Sequence, residues 1–473
     1  MLKQYRISLT LFILIFFLGS LRMFSVVTQQ PVLGYGNHYD MIRVQSCHQI
    51  WPVNTQVPKG YPTPFAPNNL YTFDSNSKHH DCFVSTELLF TSTTVAILSY
   101  LGLETFSMTS FGITKAILFM LVSLSFLIWF MVRKKLGVAL CHTIIYSLII
   151  ADPANTLYFN TFYTETSALF FLYTSLLLFY VVASDGMTRI NAMLFGLSLV
   201  YLALSKPQHI LLPIVILAIF LITQIQTIKL HRIATIVLLV MVGAAVFYQA
   251  QYRQTKAMYY VNYANATNTF LYTVLPAATD IKQAATILNL PSGCIEHAGK
   301  SWYSNGINNQ NHPCPEVQHT SRLSLIQLLA YDPHIILKTS FNAIQHMRPW
   351  VLYYLGTVGE QHLGRMENKA WTLSKLIDAI PEPILKILFF MPMTLLGFLF
   401  AALLSRRFLE IKTELSLLLC LISLKYIVFY SALFGDGYIE FAKHTHLYFS
   451  LYLAIIFIVI ALVAKYVKNR IDC

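Results

Sequence analysis

Charged side chains are scarce in this chain: only 11% of its 473 residues are Asp, Glu, Lys or Arg, whereas a soluble domain carries about 25%. So few charges cannot cover the surface of a soluble protein of this length, which excludes the soluble globular class. Acids are the rarer sign, and the net charge is +12. In a membrane protein such a basic excess lies mainly in cytoplasmic loops. We therefore expect a lipid bilayer around the chain and no nucleic-acid partner.

Nucleotide-binding and zinc-binding motifs are also missing. The chain contains neither G-x-G-x-x-G nor G-x-x-x-x-G-K-[ST], which argues against a nucleotide ligand. No C-x-x-C or H-x-x-x-H spacing occurs among the 7 cysteines and 15 histidines, so a zinc site is disfavoured. The sequence predicts no metal ligand set.

Long apolar stretches, by contrast, recur along the chain, most of them near the roughly 20 residues that cross a bilayer. They lie at residues 7–26, 111–132, 136–151, 164–183, 190–204, 210–225, 233–247, 384–404, 415–433 and 447–463. Lys and Arg concentrate in alternate loops, which the positive-inside rule assigns to the cytoplasm together with both termini. The prediction is an all-α polytopic membrane protein with about ten transmembrane helices and two large extracytoplasmic loops, at residues 27–106 and 248–383.

We expect three parts, namely residues 1–247 with the first outer loop, an extracytoplasmic subdomain at 248–383, and C-terminal membrane helices at 384–473. Residues 82–106 are too polar for a span and predict an amphipathic helix in the membrane interface. The four cysteines of the outer loops are Cys47 and Cys82 in the first and Cys294 and Cys314 in the second. Pairs on the oxidising side of a membrane predict two disulfides, one in each loop.

Ionisable residues gather at the predicted outer ends of separate spans, where they cost free energy unless they face water, a partner or a ligand. They are Asp40, Glu165, Lys206, His209, Glu440, Lys443 and His444. The glycines before Asp40 favour a turn around it, and Glu165 has an alternative role as a helix N-terminal acid, with Thr164 as N-cap. Acids that accept a proton, next to cations that hold a phosphate, are what group transfer from a lipid phosphate requires.

Four stretches, in this order, resemble the C-type multi-spanning glycosyltransferases, the GT-C superfamily. They read "GYGNHYDMIRV", "YFNTFYTETSALFF", "RPWVLYYLGTV" and "GDGYIEFAKHTHLYFSL" and are spread over nearly the whole chain. Within that superfamily the chain is most similar to the bacterial hexose transferases of cell-surface glycan assembly, the group named after an S-layer glycan enzyme.

The resemblance implies roles for individual residues. Asp40 stands where the superfamily has its general base, although the acidic pair common there is absent, and Glu165 matches a second acid that assists acceptor or metal binding. Lys443 and His444, in the shared "AKH" motif, are assigned to the donor phosphate. From their positions in the sequence, Lys206 and Arg348 are further phosphate-binding candidates, with snorkelling and an ordinary surface arginine as the alternatives, and His209 and Glu440 are expected to support them.

The predicted function is transfer of a hexose, with inversion, from a polyprenyl-phosphate donor to a cell-surface glycan or a lipid-linked acceptor. The reaction is expected on the extracytoplasmic side of a bacterial inner membrane. Asp40 removes the acceptor proton as the lipid phosphate leaves. No cofactor is predicted, and a divalent metal is an open alternative that no residue pattern supports. Specificity is expected from the aromatic residues of the second outer loop, which are Trp302, Tyr303, Trp350, Tyr353 and Tyr354.

Three alternatives stay open. A glycan polymerase or ligase that uses lipid-linked oligosaccharides depends on loop arginines, for which Arg348 and Arg365 are candidates. A secondary transporter is disfavoured because the charges cluster at one membrane surface rather than at the midplane. A membrane O-acyltransferase needs a His deep in a span, and the only candidate, His142, is better explained as a packed core residue.

Overall fold

The computed structural model describes residues 2–30, 32–36, 38–53, 70–73, 82–224, 232–252, 258–304, 307, 311–352, 356–358, 362–363, 372–404 and 411–471. The helices in these ranges, in chain order, are α1 Leu2–Val27, α2 His38–Gln45, α3 Glu87–Tyr100, α4 Met108–Val132, α5 Leu136–Ile145, α6 Pro153–Thr156, α7 Glu165–Asp185, α8 Arg189–Ala203, α9 Leu211–Thr223, α10 Arg232–Tyr252, α11 Tyr259–Thr267, α12 Ile281–Ile287, α13 Arg322–Tyr331, α14 His334–His346, α15 Leu373–Ala379, α16 Glu382–Leu404, α17 Lys412–Asp436, α18 Phe441–His444 and α19 His446–Ile471. Short 3₁₀ or π turns connect several of them, among them Tyr146–Ile150, Pro207–His209 and Asn268–Val274.

The predicted all-α polytopic fold is confirmed. In the described part of the chain, 7 helices are long and apolar enough to cross a membrane. Three shorter apolar helices, at Leu136–Ile150, Arg189–Ala203 and Pro207–Thr223, occupy the remaining predicted spans. Each of the ten apolar stretches read from the sequence therefore corresponds to one helix of the bundle.

Helix α7 lies at the centre of this bundle. In its apolar window 78% of the residues are buried, against 28% in α10 and 22% in the apolar window of α16. A helix that is apolar all round suits such a position, because every face meets another helix. The first turn of α7 carries Glu165, so this acid is held by the most deeply buried helix of the fold.

Two small antiparallel sheets, which the sequence did not predict, lie in the loops. One joins β1 (Gly34–Tyr35), β5 (Gly356–Val358) and β6 (His362–Leu363), and the other joins β2 (Ile50–Pro52), β3 (Leu70–Phe73) and β4 (Thr105–Ser107). In the first sheet Gly34 pairs with Thr357.

The predicted turn at Asp40 is wrong. Gly34 and Tyr35 belong to strand β1, and helix α2 begins at His38. Asp40 lies in the first turn of this helix, where the helix dipole favours an acid.

Both predicted disulfides are present. Cys47 is bonded to Cys82, and Cys294 to Cys314. The second pair lies close to Glu316, a spacing that resembles a metal site, but both sulfur atoms are already used in the bond. Residues of this second loop, from Tyr263 to Ile335, form a hydrophobic core of their own. The helix predicted within residues 82–106 is also present, as α3.

Candidate functional site

Charged side chains from separate parts of the chain meet in one cavity of about 660 Å³. Those that line it include Asp40, Arg43, Glu165, Lys206, Asp436, Glu440, Lys443 and His444. They come from α2, from the start of α7, from the loop before α9, from the last residue of α17, and from the segment between α17 and α19. We call this group the charged floor. Among the predicted site residues it unites Asp40, Glu165, Lys206, Glu440, Lys443 and His444.

Asp40 and Lys443 form the centre of the charged floor. The ammonium of Lys443, which is 2% exposed, donates to Oδ2 of Asp40 and, at 2.9 Å, to Oε2 of Glu440. Arg43 reaches the other oxygen of Asp40 at 3.1 Å. Burial acts to raise the pKa of Asp40, but the charges of Lys443 and Arg43 outweigh it and hold this pKa below the ordinary value. Asp40 is therefore ionised at rest and already paired.

The same pair fixes the charge of Lys443. Burial acts to lower the pKa of Lys443, but the carboxylates of Asp40 and Glu440 outweigh it and raise this pKa well above its ordinary value. A buried cation whose partners lie at the edge of a cavity is available to an anionic ligand that enters it. The position suits the binding of a phosphate.

A second chain of contacts runs beside the first. Lys206 donates to Oε1 of the buried Glu165 at 2.7 Å, and its Nζ lies 3.4 Å from Nδ1 of His444. Nε2 of His444 lies 3.1 Å from Oδ2 of Asp436. Because an ammonium only donates, Nδ1 of His444 accepts and Nε2 carries the proton towards Asp436; this tautomer is assigned from the network.

A tight reversal after α17 brings Lys443 and His444 to the cavity. Gly437 has a φ of +66°, and a Cβ there would lie 2.3 Å from Oγ1 of Thr273 and 2.5 Å from the carbonyl oxygen of Asn268. Only glycine fits this close approach. Glu440 also has a positive φ, of 45°, before the single turn of α18.

The first turn of α7 rests on an ion pair that the sequence analysis missed. Glu87 of α3 and Lys115 of α4 are completely buried and 2.5 Å apart. The other oxygen of Glu87 accepts from the backbone N–H of Ser167, and Lys115 donates to the carbonyl of Thr161 at 2.7 Å. The pair thus holds both sides of the helix start that carries Glu165. A lysine within the apolar run "FGITKAILF" was the available signal.

Helix α17 carries another missed charge. Lys425 is buried within its apolar span, where its Nζ lies 3.3 Å from the carbonyl oxygen of Phe389 and 4.3 Å from the ring of Tyr426. The expectation that the charges cluster at one membrane surface is wrong, because Lys115 and Lys425 are buried within apolar helices long enough to span a membrane. Pro392 interrupts the hydrogen bonds of α16 one turn after Phe389. The carbonyl oxygen of Phe389 accepts hydrogen bonds from both Lys425 and Tyr426.

Two further walls enclose the cavity. One is apolar and includes Ile210, just before α9, Leu211 of α9, Leu325, Ile326 and Leu329 of α13, and Ile427 of α17. Ile326 is 62% exposed, so this wall also reaches the outer surface of the protein. The other wall is aromatic and is formed by Tyr260, Trp302 and Tyr303. A charged floor between an apolar wall and an aromatic wall suits an amphiphilic ligand with a sugar group.

Some predicted residues lie elsewhere. Arg348 does not line the cavity, because its guanidinium donates to the carbonyls of Asp378 and Ile380. His209 is buried, with its ring 6.2 Å from that of His446, and also does not line the cavity. Trp350, which was expected to contribute to specificity, does not line the cavity; it is buried and donates to the carbonyl of His446 at 3.2 Å. Tyr353, Tyr354 and Arg365 fall outside the described residues.

Comparison with known families gives one match. A family model described as the YfdI N-terminal transmembrane domain matches residues 1–472. No curated protein and no solved structure matches the chain. The match supports a polytopic membrane protein, and it names neither the GT-C superfamily nor the S-layer type group that the sequence motifs suggested.

Proposed function

The chain belongs to the family of the YfdI N-terminal transmembrane domain, and we propose that this membrane protein is a GT-C type glycosyltransferase. It moves a hexose from a polyprenyl-phosphate donor to a hydroxyl of a glycan or lipid-linked acceptor. The reaction takes place on the extracytoplasmic side of a bacterial inner membrane.

One observation carries this proposal. A candidate base, Asp40, touches a buried cation, Lys443, in a cavity that has an apolar wall open to the protein surface. A donor with a phosphate, a sugar and an isoprenoid chain offers one group to each of these environments. The phosphate meets Lys443 and Lys206, the chain follows the apolar wall, and the sugar lies between Asp40 and the aromatic wall.

The transfer is a single displacement in this proposal. The acceptor oxygen forms a bond to the anomeric carbon while the bond from that carbon to the phosphate oxygen breaks. The electron pair leaves with the phosphate, whose charge Lys443 and Lys206 stabilise. Asp40 takes the acceptor proton. Because attack and departure occur on opposite faces of the carbon, the configuration is inverted.

Binding of the donor also prepares the base. At rest, Lys443 and Arg43 hold the pKa of Asp40 low, which makes it a weak proton acceptor. A phosphate that pairs with Lys443 partly neutralises the charge that lowers the pKa of Asp40. The pKa of Asp40 therefore rises when the donor is bound. Proton removal is thereby linked to donor binding.

The experiment is to compare cell-surface glycans, by mass spectrometry, from cells with and without this protein. Loss of a single hexose from each glycan is expected. Glycans that lack no hexose but have a shorter chain length would contradict a transferase and indicate a polymerase. Unchanged glycans would contradict both.

A further inference from the structure

A short loop, Ser301 to Ser304, presents an aromatic ring to the charged floor. Its turn is held by the N–H of Ser304, which donates to the carbonyl of Ser301 at 3.0 Å. Trp302 lines the cavity and also packs against the hydrophobic core of the second outer loop, with its ring 5.1 Å from that of Tyr263. Tyr303 also lines the cavity and, unlike Trp302, is largely exposed, at 72%. A side chain this exposed contributes little to the core, so the loop offers its ring to a ligand.

Hydrogen bonds connect this loop to the charged floor. The N–H of Trp302 donates to Oδ1 of Asn268 at 2.8 Å, and Nδ2 of Asn268 donates to Oδ1 of Asp436 at 2.8 Å. Asp436 in turn contacts His444. Asn268 is buried, and both ends of its amide are used, so its orientation is fixed. The path sets the position of Tyr303 relative to the groups that would hold a phosphate.

The electrostatic surroundings of Tyr303 agree with this position. Partial burial, followed by the carboxylates of Glu440 and Asp436, raises the pKa of its phenol. The phenol is neutral at physiological pH, as an ordinary tyrosine also is, and it lines the same cavity as these carboxylates. A pyranose between them would place its C–H face on the ring and its hydroxyls towards the acids, which accept hydrogen bonds.

We propose that Tyr303 is the platform on which the donor hexose rests, and that Asn268 is the positioning residue of this platform. The inference rests on the proposed function, since a sugar bonded to a phosphate at Lys443 lies within this part of the cavity. It goes further by assigning recognition of the hexose to a side chain outside the charged floor.

The test is a binding measurement with the full-length protein in lipid nanodiscs. The probes are polyprenyl phosphate without a sugar and the polyprenyl-phosphate derivatives of glucose, galactose and mannose. The wild-type protein is expected to prefer at least one hexose derivative over the sugar-free lipid. Tyr303→Ala should weaken binding of that derivative by about 3- to 10-fold, the range of an aromatic contact, and leave the sugar-free lipid unchanged. Tyr303→Phe should keep the preference.

Two further variants make the test specific. Tyr331 of α13 is 63% exposed and does not line the cavity, so Tyr331→Ala should change neither affinity. Asn268→Ala should produce the same selective loss as Tyr303→Ala. The double variant Tyr303→Ala with Asn268→Ala should bind the hexose derivative only slightly more weakly than either single variant, because both substitutions disable the same platform. General damage to the fold would also weaken binding of the sugar-free lipid.

The outcomes separate the platform from the proposed function. Equal binding of sugar-free and hexose-bearing lipids by the wild-type protein, or an unchanged preference in Tyr303→Ala, would overturn the platform and leave the proposed function standing. Absence of binding of any polyprenyl phosphate would overturn the proposed function, and the platform with it.

Discussion

At the scale of single residues, the contact between Asp40 and Lys443 determines the resting charge of the cavity. Position 40 needs a carboxylate for two reasons: it removes a proton in the proposed reaction, and it compensates a buried cation. Lys443 likewise has two roles: it binds the donor phosphate in the proposed reaction, and it pairs with Asp40 and Glu440 in the resting fold. The two roles of Asp40 can be measured separately. Its role as a base appears in turnover when the donor is bound, and its pairing with Lys443 appears in the pH dependence of stability without the donor.

Asp40→Asn keeps the shape of the side chain and removes the proton acceptor. We expect turnover to fall by about 10²–10⁴-fold, the range for loss of general-base catalysis. Donor affinity should be retained, since Lys443 then has one competing carboxylate fewer. The measurements are hexose transfer in membranes and donor binding by the purified protein.

As a matched control, Asp280→Asn removes an acid that caps helix α12 outside the cavity, and transfer should be unchanged. Transfer at the wild-type rate by Asp40→Asn would show that Asp40 is only a structural acid of helix α2.

The low pKa of Asp40 gives a prediction for stability against pH. Its folded-state pKa lies below the ordinary value of 3.8, so its contribution to stability is complete above that value and is lost as the pH falls through the lowered pKa. Asp40→Asn should therefore unfold at a lower temperature than the wild type at pH 6. The difference should shrink progressively below about pH 4. Thermal unfolding in detergent, followed by tryptophan fluorescence, measures it; a difference independent of pH would contradict the pairing.

At the scale of elements, the site depends on how helix ends are held. The start of α7 is fixed by the Glu87–Lys115 pair, and the segment that carries Lys443 is fixed by the reversal at Gly437. Neither feature touches the proposed substrate. Each sets the position of residues that do.

The buried pair predicts a particular pattern in a double-mutant cycle. Lys115→Met leaves the charge of Glu87 without a partner and should cost about 3–5 kcal/mol of stability. Combining it with Glu87→Gln removes the second charge and should recover most of that loss. Yield and thermal unfolding of the single and double variants measure the effect. Additive losses would mean that the two charges do not depend on each other.

Gly437 gives a second prediction at this scale. Gly437→Ala places a Cβ against Thr273 and Asn268 at a positive φ, and we expect a clear fall in the unfolding temperature because the backbone conformation itself is strained. Gly435→Ala is the control, because a Cβ there has no neighbour within 4 Å and its helical position favours alanine. Equal effects of the two substitutions would contradict the close approach at Gly437.

Much of this architecture could be predicted from the sequence, for local reasons. Apolar length identifies a membrane helix without knowledge of its neighbours, and a loop with two cysteines on the oxidising side offers few alternatives to a disulfide. The Glu87–Lys115 pair could not be predicted in this way, because its partners lie on different helices. Each residue taken alone is equally well explained as an ordinary charged side chain. The turn predicted at Asp40 failed because β1 pairs with residues more than three hundred positions away, beyond the reach of local propensity.

At the scale of the whole molecule, helix α7 begins at the charged floor with Glu165 and ends at Asp185, which pairs with Arg133 and Lys135 of the basic loop after α4. From the positive-inside rule we therefore expect the charged floor on the extracytoplasmic side. Reporter fusions that end at positions 40, 165, 206 and 443 should report the extracytoplasmic side, and a fusion that ends at position 134 should report the cytoplasm. Positions 40 and 443 on opposite sides of the membrane would contradict a shared site.

The most direct test of the central claim is the affinity of the purified protein for a polyprenyl-phosphate hexose, with and without the cation of Lys443. Lys443→Gln should weaken binding by about 1.5–3 kcal/mol, the range for a hydrogen bond to a charged group. Lys443→Arg should retain part of the donor affinity, because the positive charge remains while the geometry of the side chain changes. Lys386, which is paired with Glu382 outside the cavity, provides the control, and Lys386→Gln should have no effect. Donor affinity that is the same in Lys443→Gln as in the wild type would contradict the account.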